Sequence, residues 1–298
     1  MVRDIGKDEC SVLGVIKDLK VICCDDPPKL PDEILNSAQQ IDNENRAKNP
    51  NYFDGPKIGV EGVSLKPGIS AKLFVSGGDN RRYSHVLASR DLSYDPNADP
   101  KESMYTVLGN PRDELYFQKR DPGHVNPFTQ GVVLVSDPSG GSTSLDDLPV
   151  LITLRGSGVD HGEGLRHHLA GYGDHAKGFE TFDFRHWDAV RSTYSELLEE
   201  AGLLPTDLMG APQPFAIVQD PFELQAHYLA ITRLSKGELK KSIKSARDWQ
   251  EHAHFEFVRF GELEEYAESN TFYSHSRPLF KGDLLQNMGD RLQVIRGK

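Results

Sequence analysis

The stretch Asp188-Ala189-Val190-Arg191-Ser192-Thr193-Tyr194-Ser195-Glu196-Leu197-Leu198-Glu199-Glu200-Ala201-Gly202-Leu203 carries the strongest structural signal in the chain. With Trp187, the residues Val190, Tyr194, Leu197, Leu198 and Ala201 recur at helical spacing and fill one side of a helix turning about 100° per residue. The spacing predicts a helix over residues 186–201, stopped by Gly202. Asp188, Ser192, Ser195, Glu196 and Glu199 fall on the other side, with Glu200 at its edge. Glu196, Glu199 and Glu200 stand at i, i+3 and i+4, so their carboxylates converge near the negative end of the helix dipole. No Lys or Arg follows at i+3 or i+4 to offset them. A divalent cation would, and hard oxygen ligands suit Mg²⁺ or Mn²⁺.

The flanking segments set this helix in a sheet. Residues 131–136, 149–155 and 165–170 read as strands before it, and 215–218 and 226–232 as strands after it. A glycine-rich loop spans 171–178. Helices are expected over 236–249 and 261–268, with a strand at 255–258 between them. Strands then helix, repeated, predict an α/β fold with a mixed sheet and helices packed on it. The earlier residues read as a smaller α+β layer. It has a hairpin from residues 13–15 and 21–24, a polar helix over 32–48 with Asp32 as N-cap, and strands at 57–65 and 71–75. Residues 91–127, rich in Pro, Asn and Asp, read as loops with one or two short elements. The expected division is therefore 1–125 and 126–298.

Composition excludes several classes. The 298 residues are 37% hydrophobic and 27% charged, enough for a core and too apolar for wholesale disorder. The longest apolar runs, such as Val132-Val133-Leu134-Val135, fall far short of the ~20 residues of a membrane helix. The first residues carry mixed charges and no apolar segment of the secretory kind. Three cysteines without a C-x-x-C suit a reducing, cytoplasmic setting. The net charge of -11 repels polyphosphate backbones and argues against a nucleic-acid polymer as partner. A small anion held through a cation is not excluded.

Residues 195–203 resemble the second half of the Nudix box, R-E-U-x-E-E-x-G-U with U aliphatic, at every position but the first, where Ser195 replaces arginine. Ala170-Gly171-Tyr172-Gly173-Asp174-His175 resembles the glycine loop that leads into that box. Trp187 stands where the arginine's usual glutamate partner would be, and Asp188 and Glu180 are the candidates for an upstream acid. Phe53-Asp54-Gly55-Pro56-Lys57, with Tyr83, Leu87 and Ser89, resembles elements in the N-terminal extension of the animal UDP-glucose-hydrolysing Nudix proteins. The resemblance implies a Nudix α/β/α sandwich behind an extension domain. It implies Mg²⁺-dependent hydrolysis of a UDP-sugar to UMP and a sugar 1-phosphate, by a monomer or homodimer. The altered box keeps open a catalytically impaired protein that binds a nucleotide or a protein partner.

On this reading Glu196, Glu199 and Glu200 are the catalytic and metal-binding residues, with Gly171 bringing a backbone carbonyl to the cation. Arg155, Arg166 and His175 are candidates to grip phosphate. Arg82 and Tyr83, with Arg81, could reach the sugar or base, although a solvated hairpin tip explains that trio equally simply. His167, His168 and His175 have no cysteine companions, which disfavours zinc. Gly171-Tyr172-Gly173-Asp174-His175-Ala176 fits G-x-G-x-x-A, but Lys177-Gly178 interrupts before any helix and the flanking strands read as antiparallel, unlike a dinucleotide-binding turn.

Overall fold

In a computed structural model of the chain, the described residues are 11–24, 29–49, 54–77, 81–93, 105–110, 114–119, 125–156, 163–172, 188–219 and 224–297. Thirteen strands and six α-helices lie among them. The strands are β1 (Ser11–Val15), β2 (Asp18–Cys23), β3 (Gly59–Lys66), β4 (Ser70–Ser76), β5 (Tyr105–Asn110), β6 (Glu114–Lys119), β7 (Phe128–Ser136), β8 (Pro149–Arg155), β9 (Arg166–His167), β10 (Leu169–Tyr172), β11 (Gln213–Gln219), β12 (Leu224–Thr232) and β13 (His252–Arg259). The helices are α1 (Asp32–Lys48), α2 (Tyr83–Ser93), α3 (Ala189–Ala201), α4 (Lys236–Ser245), α5 (Leu263–Ser269) and α6 (Gly282–Ile295). This is the mixed α/β organisation expected from the sequence. No helix among the described residues is long and apolar enough to cross a membrane.

Two mixed sheets result. The larger runs β1-β11-β12-β7-β8-β13, with β12 and β7 parallel. β7 and β8 pair only at Val135 and Val150, then diverge. The β9–β10 segment enters the gap, β10 pairing antiparallel with β7 and β9 with β8. Alternation along β7 divides its neighbours. Val132 and Leu134 join Leu197, Ala201, Leu239 and Ile243 of α3 and α4 in one core. Val133 and Val135 join Leu263, Leu284, Met288 and Leu292 of α5 and α6 in another. Helices therefore cover both faces of the sheet.

The smaller sheet runs β2-β4-β3-β6-β5. Residues 13–15 and 21–24 do not form the expected hairpin: β1 pairs with β11 and β2 with β4. The chain changes sheets between them, where Ile16 N–H donates to Phe215 O and Lys17 N–H to Ile69 O. Ile16 is fully buried, and the two sheets share one apolar core through Ile58, Val60, Phe128, Ile217 and Tyr228. Burying Ile16 there stabilises by roughly 1.5–3 kcal/mol, more than one hairpin bond returns. The expected division near residue 125 falls between β6 and β7; β1 crosses it to pair with β11, and Gly59 at the start of β3 bridges to Pro127. The loop-rich region contains the paired strands β5 and β6. Asp32 is the first residue of α1 rather than its cap, a position taken by Pro31. The helix expected over 236–249 ends at Ser245, and Trp249–Glu251 form a separate 3-10 turn.

The carboxy-terminal helix is locked by a charge pair removed from water. Arg296 Nε lies 2.8 Å from Asp137 Oδ2, both side chains are fully buried, and the guanidinium also donates to Thr143 O. Breaking such a pair strands a charge, at about 3–5 kcal/mol. Arg296→Ala should therefore lower the urea midpoint of unfolding steeply. Arg259→Ala, which loses the exposed ion pair with Glu262, should leave it nearly unchanged.

Candidate functional site

α3 ends where the sequence places it, at Ala201 before Gly202, but begins at Ala189 rather than at residue 186. Asp188 is its N-cap, accepting from the Val190 and Arg191 N–H groups at 2.7 and 3.1 Å. Gly202 closes it in the left-handed region at φ 66°, and a side chain there would also meet Ser242 O. Ser242 Oγ bonds to Ala201 O and Gly202 O, so α4 satisfies carbonyls that the helix end leaves open.

The buried face differs from the expected one. Ala189, Ser192, Thr193, Glu196, Leu197, Glu200 and Ala201 face inward, Val190 and Tyr194 are half-buried, and Leu198 is 48% exposed. The line 192–196–200 lies over β7 and β10: Gln130 donates to Ser192 Oγ at 2.8 Å, and Ala170 N–H to Glu200 Oε2 at 3.3 Å. The reason is the smallness of β10. A Cβ on Gly171 would overlap the Glu196 carboxylate, so glycine there admits the acid against the backbone.

Of the three predicted acids, two go inward and one does not. Glu196 and Glu200 are 8% and 4% exposed. Burial, and then the Glu196 and Glu251 carboxylates, push the Glu200 pKa well above the usual range, against weaker opposite pulls from Arg155 and the Ala170 N–H. His252 Nε2 lies 3.7 Å from Glu200 Oε2. This is not an ion pair, because burial and then Arg155 hold the imidazole down to about 4. His167, whose ring centroid is 5.6 Å from that of His252, is likewise held neutral, first by burial. Glu199 points elsewhere: Arg247 Nη2 lies 2.5 Å from its Oε1 and is forked onto Asp248. The compensating base missing from the helix thus comes from the turn after α4, which no local pattern revealed. Among the described residues, no group of three or more His, Cys, Asp or Glu side chains is arranged to hold a metal ion. The Glu196 and Glu200 carboxylates beside the 170–171 backbone are nevertheless hard oxygen donors of the kind a divalent cation takes.

The other candidates separate. Arg155 belongs to the site through its influence on Glu200, His167 and His252, with its guanidinium 5.7 Å from the Tyr273 ring. Arg166 does not: it bonds to Tyr266 Oη and Glu256, on the sheet face that α5 covers. Strand alternation sends its side chain there while His167 takes the α3 side. Asp188 is committed as a cap. Arg81, Arg82 and Tyr83 are not a hairpin tip. Arg81 is 1% exposed and paired with Glu61, and Tyr83 opens α2. Asp54 receives Ser84 N–H and Oγ at 2.7 and 2.8 Å, and Arg82 donates to Asp54 O. This joins the 54–57 element to the 83–89 element. The Tyr83 ring lies 5.8 Å from that of Tyr172, with Lys57 Nζ 5.1 Å from Tyr172 and 5.7 Å from Tyr83. Tyr83 thereby adjoins β10 next to Gly171. Phe53, Gly173, His175, Glu180 and Trp187 lie outside the described residues.

The raised Glu200 pKa means that folding binds a proton there, so stability is lost as pH rises above the ordinary carboxylate value. Metal-free Glu200→Gln should melt higher than wild type at pH 8, by roughly 2–4 °C for each kcal/mol relieved. The gap should close near pH 4. Gly171→Ala should melt lower at both pH values. Differential scanning fluorimetry in EDTA checks both expectations.

No family model matches the chain, and no curated protein does. Among solved structures, the crystal structure of DR0079 from Deinococcus radiodurans is similar over 64% of this chain and 98% of that one, at 15% identity and a TM-score of 0.34.

Proposed function

We propose that the chain is a Nudix-type hydrolase that cleaves the pyrophosphate of a nucleoside diphosphate sugar, such as UDP-glucose, with Mg²⁺. The observation that carries this is the burial of two carboxylates against β10, Glu196 at the Gly171 backbone and Glu200 at the Ala170 N–H. Two carboxylates removed from water repel each other, and a cation between them and a pyrophosphate reverses the sign of both repulsions. When bound, Mg²⁺ would supply charge neutralisation at phosphorus and a more acidic water. Glu196 and Glu200 would hold it, and Arg155 would orient the phosphate. Arg82 and Tyr83, with Tyr172 and Lys57, would contact base or sugar beside β10. His252 and His167, kept neutral, add no competing positive charge.

A second reading follows from Arg247. Its ion pair occupies Glu199, which favours a protein that binds the nucleotide sugar and turns it over poorly.

Incubation with Mg²⁺ and UDP-glucose should release UMP and glucose 1-phosphate. Glu196→Gln and Glu200→Gln should each lower kcat by about 10²-fold or more. Arg155→Ala should raise KM by roughly tenfold, as expected for a lost charge-assisted contact. No product from UDP-sugars, ADP-ribose or dinucleotides, with wild type and Glu200→Gln alike, would refute the hydrolase. Binding of UDP-glucose without turnover would favour the second reading.

A further inference from the structure

On the sheet face away from α3, three imidazoles meet in the core. His168, between β9 and β10, is 1% exposed, while His227 of β12 and His275 are fully buried. His227 Nδ1 and His168 Nε2 are 3.1 Å apart, with ring centroids at 4.8 Å. His168 Nδ1 continues the chain to Ser276 Oγ at 2.9 Å. Gly131 makes room for the pair, since a Cβ there would overlap His168 and crowd His227. One proton serves the bond between the rings, and His227 Nε2 meets no hydrogen-bond partner among the described residues.

His275 and Ser276 belong to a strap, residues 271–276, that runs beside β9. Arg166 N–H donates to Thr271 O at 3.1 Å, and Tyr273 N–H to Arg166 O at 2.8 Å. The strap is tied on one side by the His168–Ser276 bond. On the other it carries Tyr273, whose ring backs Arg155.

We propose that His168 and His227 form a proton-sensitive latch: while both are neutral they hold the strap 271–276 to the sheet, and protonation releases it, withdrawing Tyr273 from Arg155. The groups that face the pair are Gly131 from β7, Gln225 from β12, His275, Ser276 and the adjacent Tyr273 from the strap, and His167 beside His168. No carboxylate is among them to receive a charge. Burial, and then the neighbouring His275 imidazole, hold His168 down to about 3, and burial, then His168 and His275, hold His227 well below the ordinary imidazole value. The opened form takes up protons that the closed form refuses, so closure is secure above the ordinary value of about 6.5 and weakens as pH falls below it. Each imidazole freed multiplies opening by about fivefold between pH 6.5 and 5.5, approaching tenfold per unit at lower pH. The latch stands on its own geometry. Its effect on the site rests on Arg155 as a phosphate contact.

Hydrogen–deuterium exchange of the full chain, corrected for intrinsic exchange, tests it between pH 6.5 and 5.5. Opening of peptides covering 271–276 should rise at least tenfold, while α4 stays protected. In His227→Gln, which keeps a hydrogen-bonding amide but takes no proton, the rise should shrink by about fivefold. An unchanged strap, an equal rise in α4, or an undiminished rise in His227→Gln would overturn the latch. Should that variant fail to fold, histidine NMR of the wild type decides. Imidazoles that titrate only as the strap opens support the latch, and imidazoles that titrate near 6.5 under a protected strap overturn it. None of these readouts requires hydrolysis, so failure of the pyrophosphatase reading is seen separately, in the turnover assay.

Discussion

Two carboxylates withdrawn from water are the constraint around which this chain is arranged. Glu196 and Glu200 lie inside the contact between α3 and β10, where apolar residues would ordinarily sit. A buried carboxylate costs several kcal/mol unless something neutralises it. The Ala170 N–H and a neutral His252 are weak compensation. Burial and the Glu196 carboxylate favour a proton on Glu200, and a cation between the two acids would relieve the same repulsion.

The elements that place the acids can be traced one by one. The divergence of β7 and β8 opens the sheet to admit β10, whose glycine lets the helix descend. Asp188 and Gly202 fix the ends of α3, and Ser242 ties its last carbonyls to α4, so the helix cannot slide to expose the acids. A 13-residue helix is marginal alone. Leu197 and Ala201, packed on Val132 and Leu134, hold it down. The same alternation that points His167 toward the acids sends Arg166 to α5 and its neighbour His168 to His227.

Much of this was legible in the sequence. The end of α3 followed from a glycine, and β7, β8, β11 and β12 from short apolar runs, because those signals are local. The spacing starts α3 at residue 186 instead of Ala189, and Asp188 carried no reading as its cap. The convergence of Glu196 with Glu200 beside Gly171 also followed from spacing and from a glycine-rich loop. What periodicity misread was which side of α3 is buried. Tyr194, Leu197 and Ala201 do pack on the core, but Leu198 is exposed, and the shape of β10, a partner distant in sequence, turns the acidic line inward. The same limit hid Arg247 from Glu199, separated β1 from β2, and made Arg166 look like a phosphate ligand. The elements near 54–57 and 83–89 were singled out separately, and their union through Asp54 and Ser84 is a tertiary fact. α6 carried no reading at all, although Arg296 at its end makes a fully buried ion pair with Asp137.

The most direct measurement is anomalous diffraction from crystals of the protein soaked in Mn²⁺. A single strong peak within coordination distance of both Glu196 and Glu200 carboxylates, and absent in Glu200→Gln, is the expected result. A Glu200 carboxylate that stays hydrogen-bonded to Ala170, with Mn²⁺ elsewhere or nowhere, would contradict the account.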